Sequence, residues 1–261
     1  MEGPELARAF RPGRSRMTLR DRPYSSLVNT LVSVMSLPPL LPLPRRIFLD
    51  LDGVLCDFAS AAIRACGHEP SAVWARLEPG EPSWNFWTAM GLTPNDFYGV
   101  LEAQGERFWQ HLEPYPGILD LVLGCQDIAD TYFLTAPTLD PNSLSGKVRW
   151  LQSRFGRGTG SGMCVLARHK ELLAGPGALL IDDREETVTK FRAAHGDAIL
   201  VPRRWNSLHA DEVEGPDQYE PILAAVRSWP NCGRRLKRRC GAKKSLISTL
   251  RRTAQQWLSF R

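Results

Sequence analysis

Short runs of apolar residues recur through the middle of the chain. The first run occupies residues 46–52 and stops at Gly53, which is typical of a buried parallel strand. Similar runs follow at residues 131–135, 163–167, 178–182 and 198–201. Because helix-like stretches separate these runs, the pattern predicts a parallel sheet with right-handed crossover connections.

The segments between the runs differ in length and composition. Residues 144–155 and 185–194 have apolar positions at helical spacing, so we expect crossover helices there. The stretch 58–116 is too long for a crossover and holds four of the eight tryptophans, which suits a lid over an apolar or stacking ligand. We therefore predict an α/β fold, a Rossmann-like parallel sheet with helices on both faces and a small helical cap inserted after the first strand.

Charge sets the C-terminal residues apart from the rest of the chain. The formal net charge is +5, but residues 231–261 hold ten Lys or Arg and no acid, so the preceding residues carry 23 basic and 28 acidic groups. We expect one catalytic domain over residues 46–230 and a basic C-terminal tail over residues 231–261. Residues 1–45 are predicted to be a disordered leader or an over-extended start, with an organellar targeting segment as the alternative.

The cysteines and histidines bear on the cellular location of the protein and on whether it holds a zinc site. The six cysteines form no C-x-x-C pair, and the five histidines are scattered without zinc-ligand spacing. We therefore expect the reduced thiols of a cytoplasmic protein and no zinc site.

Carboxylates gather at the ends of the predicted strands. Asp50 and Asp52 end the first run, and residues two apart in an extended chain point to the same side. Asp182 and Asp183 end the fourth run, and Thr135 ends the second. Parallel strands end at one edge of a sheet, so four carboxylates and a hydroxyl should surround one crevice. Such a concentration of negative charge favours a bound cation, and Mg²⁺ is the natural occupant.

The Asp-x-Asp-Gly string at residues 50–53 has a simpler interpretation as a turn or as half of a calcium-binding loop. A calcium loop needs ligands at alternating positions and a glutamate at its end, whereas Val54 and Leu55 follow here. The combination with Thr135, two lysines and the second acidic pair favours a catalytic site.

Four motifs resemble those of the haloacid dehalogenase-like phosphohydrolases. They are Asp50-Leu-Asp-Gly-Val-Leu-Cys-Asp-Phe58, Phe133-Leu-Thr-Ala-Pro137, Lys170 and Leu180-Ile-Asp-Asp-Arg184. Within that superfamily the chain is most similar to the 5'(3')-deoxyribonucleotidases, the 5'-nucleotidase type C family. The segments that carry this closer similarity are residues 108–109, 112–117, 146–150 and 167–170. The resemblance covers residues 46–202.

The resemblance implies a catalytic or metal-binding role for five residues. Asp50 would be the nucleophile, and Asp52 the acid that protonates the leaving alkoxide and later the base that activates water. Mg²⁺ would be held by Asp50, the main-chain carbonyl of Asp52, and Asp182. Lys170 would neutralise the phosphoryl oxygens, and Asp183 would orient Lys170 or a metal-bound water.

The resemblance also implies substrate contacts. Thr135 would donate a hydrogen bond to a phosphoryl oxygen, and Ala136 would offer its backbone N–H, although the family usually carries a serine there. Lys147 is a second candidate phosphate contact, with a solvated helix lysine as the alternative. Phe58 would wall the base or sugar pocket, with core packing as the alternative.

These roles predict a Mg²⁺-dependent phosphatase of small phosphate monoesters. The substrate implied by the resemblance is a (deoxy)nucleoside monophosphate, cleaved by a 5'-nucleotidase through an aspartyl-phosphate. One alternative keeps the fold but takes a 3'- or 5'-phosphate at a polynucleotide end, with the basic tail following the backbone. The other is a protein that binds nucleic acid or an anionic membrane surface through that tail.

Overall fold

The computed structural model describes residues 44–77, 84–158 and 163–229, so the predictions for the tail and for nearly all of the leader lie outside the described residues. A five-stranded parallel sheet forms its centre, in the order β3-β2-β1-β4-β5. The strands are β1 (Arg46–Leu49), β2 (Asp130–Thr135), β3 (Cys164–Leu166), β4 (Ala178–Asp182) and β5 (Asp197–Leu200). The five predicted strands and the α/β class are confirmed.

The central strand ends earlier than predicted. Leu49 is its last residue and pairs with Phe133 of β2 and Ile181 of β4. The chain then turns tightly, because the carbonyl oxygen of Leu51 accepts hydrogen bonds from three following backbone N–H groups, of which the shortest, from Leu55, is 2.7 Å. The predicted strand over residues 46–52 was therefore too long, and Asp50 is the first residue after β1, with its N–H still donating to Ile181 O at 3.0 Å.

The α-helices whose bounds are described lie between and after the strands. They are α1 (Phe58–Ala65), α2 (Pro70–Trp74), α3 (Pro94–Gln104), α4 (Glu106–Gln110), α5 (Ile118–Ile128), α6 (Pro141–Phe155), α7 (Glu185–Ala193) and α8 (Glu220–Ser228). Helices α6 and α7 are the two predicted crossovers. Helix α6 begins three residues before the predicted start, because the Asp140 side chain accepts a hydrogen bond from Asn142 N at 3.0 Å and Pro141 occupies the first turn.

Each face of the sheet has its own hydrophobic core. Ile47 and Leu49 of β1 join the larger core, which includes Trp150 of α6. Phe48 points the other way and packs with Phe191 of α7. Strand β4 is buried along its whole length, which explains why it reads as an unbroken apolar run. Helices on both faces are confirmed.

The helical insert, defined as α1 to α4, follows β1 as predicted. It also contains a 3₁₀ helix at Phe86–Met90. Helix α3 starts where Thr93 and Asp96 form a capping box and Pro94 fills the first helical position. The buried aromatic residues of the insert belong to the larger core of the sheet domain.

The segment after β5 returns to the loop that follows β1. Arg203 is buried, and its Nε donates a hydrogen bond to Gly53 O at 2.7 Å. The Tyr219 hydroxyl donates to Val54 O, and Gln218 Nε2 donates to Pro116 O at 2.9 Å. These contacts fix the loop in which the candidate nucleophile lies.

The four cysteines within the described ranges, Cys56, Cys66, Cys125 and Cys164, are free thiols. This agrees with the reduced state expected from their spacing. Among the helices of residues 44–77, 84–158 and 163–229, none has both the length and the apolar character needed to cross a membrane.

Candidate active site

The carboxyl ends of three adjacent strands bring the predicted acidic residues to one edge of the sheet. Asp50 follows β1, Thr135 ends β2, and Asp182 with Asp183 ends β4. All four are buried, and Asp52 is partly exposed. Asp50 and Asp182 are more than a hundred positions apart in the sequence, and the parallel register brings them together.

Gly53 allows the loop after β1 to approach the second acidic pair. Its φ of +76° lies in the left-handed region that favours glycine. The Asp183 carboxylate occupies the space where a Cβ of residue 53 would stand. Both the backbone conformation and the space therefore require glycine here.

Lys170 bridges two of the carboxylates. It lies at the start of the 3₁₀ helix Lys170–Leu173, and its Nζ is 2.6 Å from Asp50 Oδ1 and 2.7 Å from Asp182 Oδ2. Burial by itself lowers the pKa of Lys170, but Asp182 and Asp50 together raise that pKa above its ordinary value. Lys170 is therefore a fixed positive charge beside the candidate nucleophile.

Lys147 forms an ion pair with Asp52. It lies on α6 with a relative exposure of 1%, so the alternative of a solvated helix lysine is wrong. Its Nζ donates hydrogen bonds to Asp52 Oδ2 at 2.6 Å, Thr135 Oγ1 at 3.1 Å and Ala136 O at 2.9 Å. One ammonium group thus joins the candidate acid/base to both residues of the predicted phosphate site.

The carboxylates outnumber the cations that face them. Burial raises the pKa of Asp50 from 3.8 to about 7, against the lowering effect of Lys170, and Asp182 and Asp52 raise it further. Burial, with Asp182 and Asp50, also holds the pKa of Asp183 well above its ordinary value. Four carboxylates face two ammonium groups, which leaves two negative charges when all are ionised.

A divalent cation suits this donor set. Asp50, Asp182 and Asp183 each offer an oxygen, and these atoms lie within 4.8 Å of one another. Asp183 Oδ1 is buried and has no hydrogen-bond partner among the described residues. Oxygen ligands without sulfur or imidazole favour a hard cation such as Mg²⁺. Side-chain geometry thus adds Asp183 to the predicted ligands Asp50 and Asp182, whereas Asp52 was predicted to contribute its main-chain carbonyl.

The second oxygen of Asp183 is fixed by residues from the segment after β5. Trp205 Nε1 donates a hydrogen bond to Asp183 Oδ2 at 2.7 Å, and Asn206 Nδ2 donates to the backbone carbonyl of Asp183 at 2.9 Å. Asn206 Nδ2 also donates to Val201 O at 2.8 Å. Asp183 is therefore held at both its side chain and its main chain.

Phe58 lies within an aromatic cluster of the helical insert. Its ring is stacked on Trp109 at 5.4 Å and 8°, and on Trp84 at 5.9 Å and 17°. Phe86, Phe97 and Phe108 meet it edge to face. The side chain is only 3% exposed, so in this conformation a ligand base would have to displace a tryptophan to stack on it.

Comparison with known proteins assigns the family. The model of the "5' nucleotidase, deoxy (Pyrimidine), cytosolic type C protein" family matches residues 45–225. The chain belongs to this family. It is 31% identical to the cytosolic-type 5'(3')-deoxyribonucleotidase of Homo sapiens over 182 residues, which cover 60% of this chain and 84% of the human protein. It is therefore a phosphohydrolase of the haloacid dehalogenase-like superfamily.

Further relatives are more distant. A putative 5'(3')-deoxyribonucleotidase of Bordetella pertussis is 28% identical over 199 residues, covering 71% of this chain and 93% of that protein. Among solved structures, a haloacid dehalogenase-like protein of unknown function from Agrobacterium tumefaciens has a TM-score of 0.46 at 12% identity. That match covers 70% of this chain and 98% of the other.

The family match extends past the region in which the motifs were visible. The resemblance covered residues 46–202, whereas the family model continues to residue 225. Trp205, Asn206 and Arg203 lie in that extension and were not predicted as site residues. Their contacts with Asp183 and Gly53 are long-range hydrogen bonds, so no local sequence pattern could have indicated them.

The burial of Lys147 had a signal in the sequence. Gly146 precedes it on α6, and a Cβ there would lie 2.5 Å from Trp109 Cβ and 2.7 Å from Glu106 O. A glycine inside a helix often marks such a close approach. The Gly146-Lys147 pair therefore indicated that this face of α6 packs against the helical insert.

Proposed function

We propose that this chain is a Mg²⁺-dependent phosphatase that hydrolyses (deoxy)nucleoside monophosphates through an aspartyl-phosphate on Asp50. The observation that carries the proposal is the pairing of two carboxylates with two buried lysines at one sheet edge, the buried Asp50 with Lys170 and the partly exposed Asp52 with Lys147. Membership of the type C nucleotidase family supports the class of substrate.

Asp50 and Asp52 have complementary roles in this mechanism. An Asp50 carboxylate oxygen attacks phosphorus, and the bond from phosphorus to the leaving oxygen breaks as the acyl phosphate forms. Asp52 gives its proton to the leaving alkoxide, which departs as the nucleoside hydroxyl. Asp52 then accepts a proton from the water that attacks the phosphorus, which frees inorganic phosphate and restores Asp50.

The lysines and Thr135 hold the phosphoryl group. Lys170 stays charged beside Asp50 and balances the negative charge of the phosphoryl oxygens. Lys147 and the Thr135 hydroxyl, 3.1 Å apart, supply donors on the side of Asp52. When bound by Asp50, Asp182 and the main-chain carbonyl of Asp52, Mg²⁺ would supply Lewis-acid polarisation of the phosphoryl oxygens.

The surroundings of the site support a nucleotide as substrate. The helical insert places aromatic side chains beside the charged edge, and such surfaces accept a base or sugar by stacking. We propose that the insert acts as a cap and that Phe58 supports the wall of the base or sugar pocket from within the aromatic cluster. The cytosolic type of the human relative, together with the free thiols, supports a cytoplasmic location.

A phosphate-release screen tests the proposal. The full chain is assayed on ribo- and deoxyribonucleoside monophosphates, sugar phosphates and oligonucleotides with 3'- or 5'-phosphates, each with and without Mg²⁺. We expect Mg²⁺-dependent release from nucleoside monophosphates. Release from oligonucleotide ends alone, falling steeply with salt, would instead support the polynucleotide phosphatase. No release from any of these esters would contradict the proposal.

A further inference from the structure

Trp205 connects the charged edge of the sheet with the helical insert. Its indole is 6% exposed, and its Nε1–H is directed at Asp183 Oδ2 at 2.7 Å. The same ring is stacked on Trp74 at 5.7 Å and 29° and meets Trp84 edge to face at 5.6 Å. One side chain thus contacts a carboxylate of the candidate metal site and two aromatic residues of the insert.

The hydrogen bond from Trp205 gives the two Asp183 oxygens different roles. Oδ2 is occupied by the indole N–H, whereas Oδ1 is buried and without a partner among the described residues. Oδ1 is therefore the oxygen left free for a cation or its water in the cluster with Asp50 and Asp182. Without the indole N–H, Oδ2 would be a second unsatisfied buried acceptor, and rotation of the carboxylate would no longer be opposed.

The position of the indole is itself determined on two sides. Stacking on Trp74 limits the tilt of the ring, and the neighbouring Asn206 is hydrogen-bonded to Asp183 O and Val201 O. The N–H is therefore aimed before any cation binds, which is what an outer-shell partner of a metal ligand requires.

We propose that Trp205 is a positioning residue for the metal site, one that orients Asp183 through its indole N–H. This inference rests on the proposed Mg²⁺ dependence and adds a residue outside the four sequence motifs. Trp205 touches neither phosphate nor cation in this role. It acts through Asp183 and depends on the insert for its own orientation.

The test compares Trp205→Phe with a matched control. Phenylalanine keeps a ring for stacking but removes the N–H. Trp229→Phe is the control, because Trp229 is also 6% exposed and its Nε1 also donates to a carboxylate at 2.7 Å, that of Asp197. Asp197 starts β5, at the opposite end of the sheet from the carboxylate cluster.

The measurement is calorimetric titration of the substrate-free full chain with MgCl₂. We expect Trp205→Phe to bind Mg²⁺ about 10-fold more weakly than wild type, the scale for loss of an outer-shell partner, and Trp229→Phe to bind as wild type does. Equal affinity of wild type and a folded Trp205→Phe would overturn this inference alone. Failure of the wild type to bind Mg²⁺ would overturn the proposed function together with it.

Trp205→His separates the hydrogen bond from the stacking. Imidazole can present an N–H to Asp183 and is not a ligand that Mg²⁺ favours, so we expect its affinity to recover toward wild type. Equal losses in the His and Phe variants would overturn the role of the N–H.

If the Phe variant does not fold, the wild-type indole N–H resonance of Trp205, assigned from its loss in Trp205→His, should shift on Mg²⁺ addition. An unmoved resonance would contradict the inference.

Discussion

The carboxylate edge of the sheet and the aromatic cluster of the helical insert share one core but are built from opposite kinds of side chain. At the edge, Asp50 and Asp183 are buried and their pKa values are raised, so their ionisation opposes folding. In the insert, Phe58 and its neighbours are apolar rings whose burial favours folding. Under the proposed mechanism, therefore, the edge would carry the chemistry and the packing of the insert would supply stability.

This difference predicts that substitutions in the two regions separate activity from stability. A change at the edge should remove turnover and leave the fold intact. A change in the aromatic cluster should lower the free energy of unfolding and leave the chemical step of the folded protein largely unchanged.

Asp50→Asn gives the largest expected effect on activity. An amide does not attack phosphorus and is a poorer Mg²⁺ ligand, so kcat should fall by at least roughly 10³-fold. The free energy of unfolding should change by less than about 1 kcal/mol, because asparagine has nearly the size of aspartate and burial, which raises the pKa of Asp50, favours a neutral group there. Steady-state phosphate release and denaturant unfolding give the two quantities.

Asp130→Asn is the matched control for this change. Asp130 starts β2 at the opposite end of the sheet and is exposed. We expect both kcat and stability to stay at the wild-type level. Substantial turnover by a well-folded Asp50→Asn protein would rule out the covalent mechanism.

Phe58→Ala tests the aromatic cluster. Removing a buried ring that is stacked on two tryptophans should lower the free energy of unfolding by about 3–5 kcal/mol. If the ring serves packing alone, kcat/KM of the folded variant should change alike for a nucleoside monophosphate and for p-nitrophenyl phosphate, which has no base. A selective loss for the nucleotide would show that Phe58 contacts the base, and the division between the regions would be less sharp.

Phe191→Ala provides the control for Phe58→Ala. Phe191 is equally inaccessible but lies in the smaller core on the other face of the sheet. Its truncation should cost a similar free energy of unfolding and leave the ratio of kcat/KM for the two substrates unchanged.

The edge and the insert also differ in how much of each could be predicted from the sequence. The carboxylates of the edge follow apolar strand runs directly, so Asp50, Asp182 and their shared edge could be predicted from local pattern and register. The hydrogen bonds and ion pairs of these carboxylates could not, although the family resemblance had singled out Lys147 and Lys170 as candidate phosphate contacts. Trp205 is 22 residues from Asp183, and Lys147 is 95 from Asp52, and only the packing of α6 and of the segment after β5 unites them.

The role of the aromatic cluster was harder to predict for a different reason. Aromatic residues at the spacing found in residues 58–116 are equally compatible with a ligand pocket and with a core. Which of the two holds depends on whether both faces of a ring are covered. The ring of Phe58 is only 3% exposed and is stacked on Trp84 and Trp109, contacts that only the tertiary structure shows.

A smaller expected effect is the release of a proton from Asp50 when Mg²⁺ binds. Folding raises the pKa of Asp50 from 3.8 to about 7, so the stability contributed by its protonated form is present at low pH and is lost as pH rises through 7. Mg²⁺ favours the carboxylate. Its binding near pH 7 should therefore release roughly half a proton from Asp50, and the rise in Tm on Mg²⁺ addition should be larger above pH 7 than below it.

Calorimetric titrations in two buffers of different ionisation enthalpy measure that release. The dependence of the observed enthalpy on the buffer gives the number of protons. The release should disappear well above pH 7, where Asp50 is already ionised. A release that grows with pH would show that a different group gives up the proton. The edge would then lack a carboxyl group with a raised pKa, the property that distinguishes it from the insert.

The smallest expected effect on hydrolysis comes from removing residues 231–261. The described chain ends with α8 and Trp229, whose Nε1 is bonded to Asp197 at the start of β5. The described chain therefore ends near the end of the sheet opposite the carboxylate edge. Its charge, ten basic residues without an acid, favours a polyanionic partner, and its later apolar residues make an anionic membrane a competing surface for nucleic acid.

Truncation after Pro230 should leave kcat and KM for a small monophosphate unchanged and should abolish retention on polyanions at low salt. The two proteins are compared on DNA, RNA and anionic vesicles at low and high salt, because counterion release makes charge-driven binding fall steeply with salt. Unchanged retention would place the polyanion site within residues 1–230. A large loss of activity with the fold intact would mean that the tail reaches the carboxylate edge, and the chemistry would then depend on a third region besides the edge and the insert.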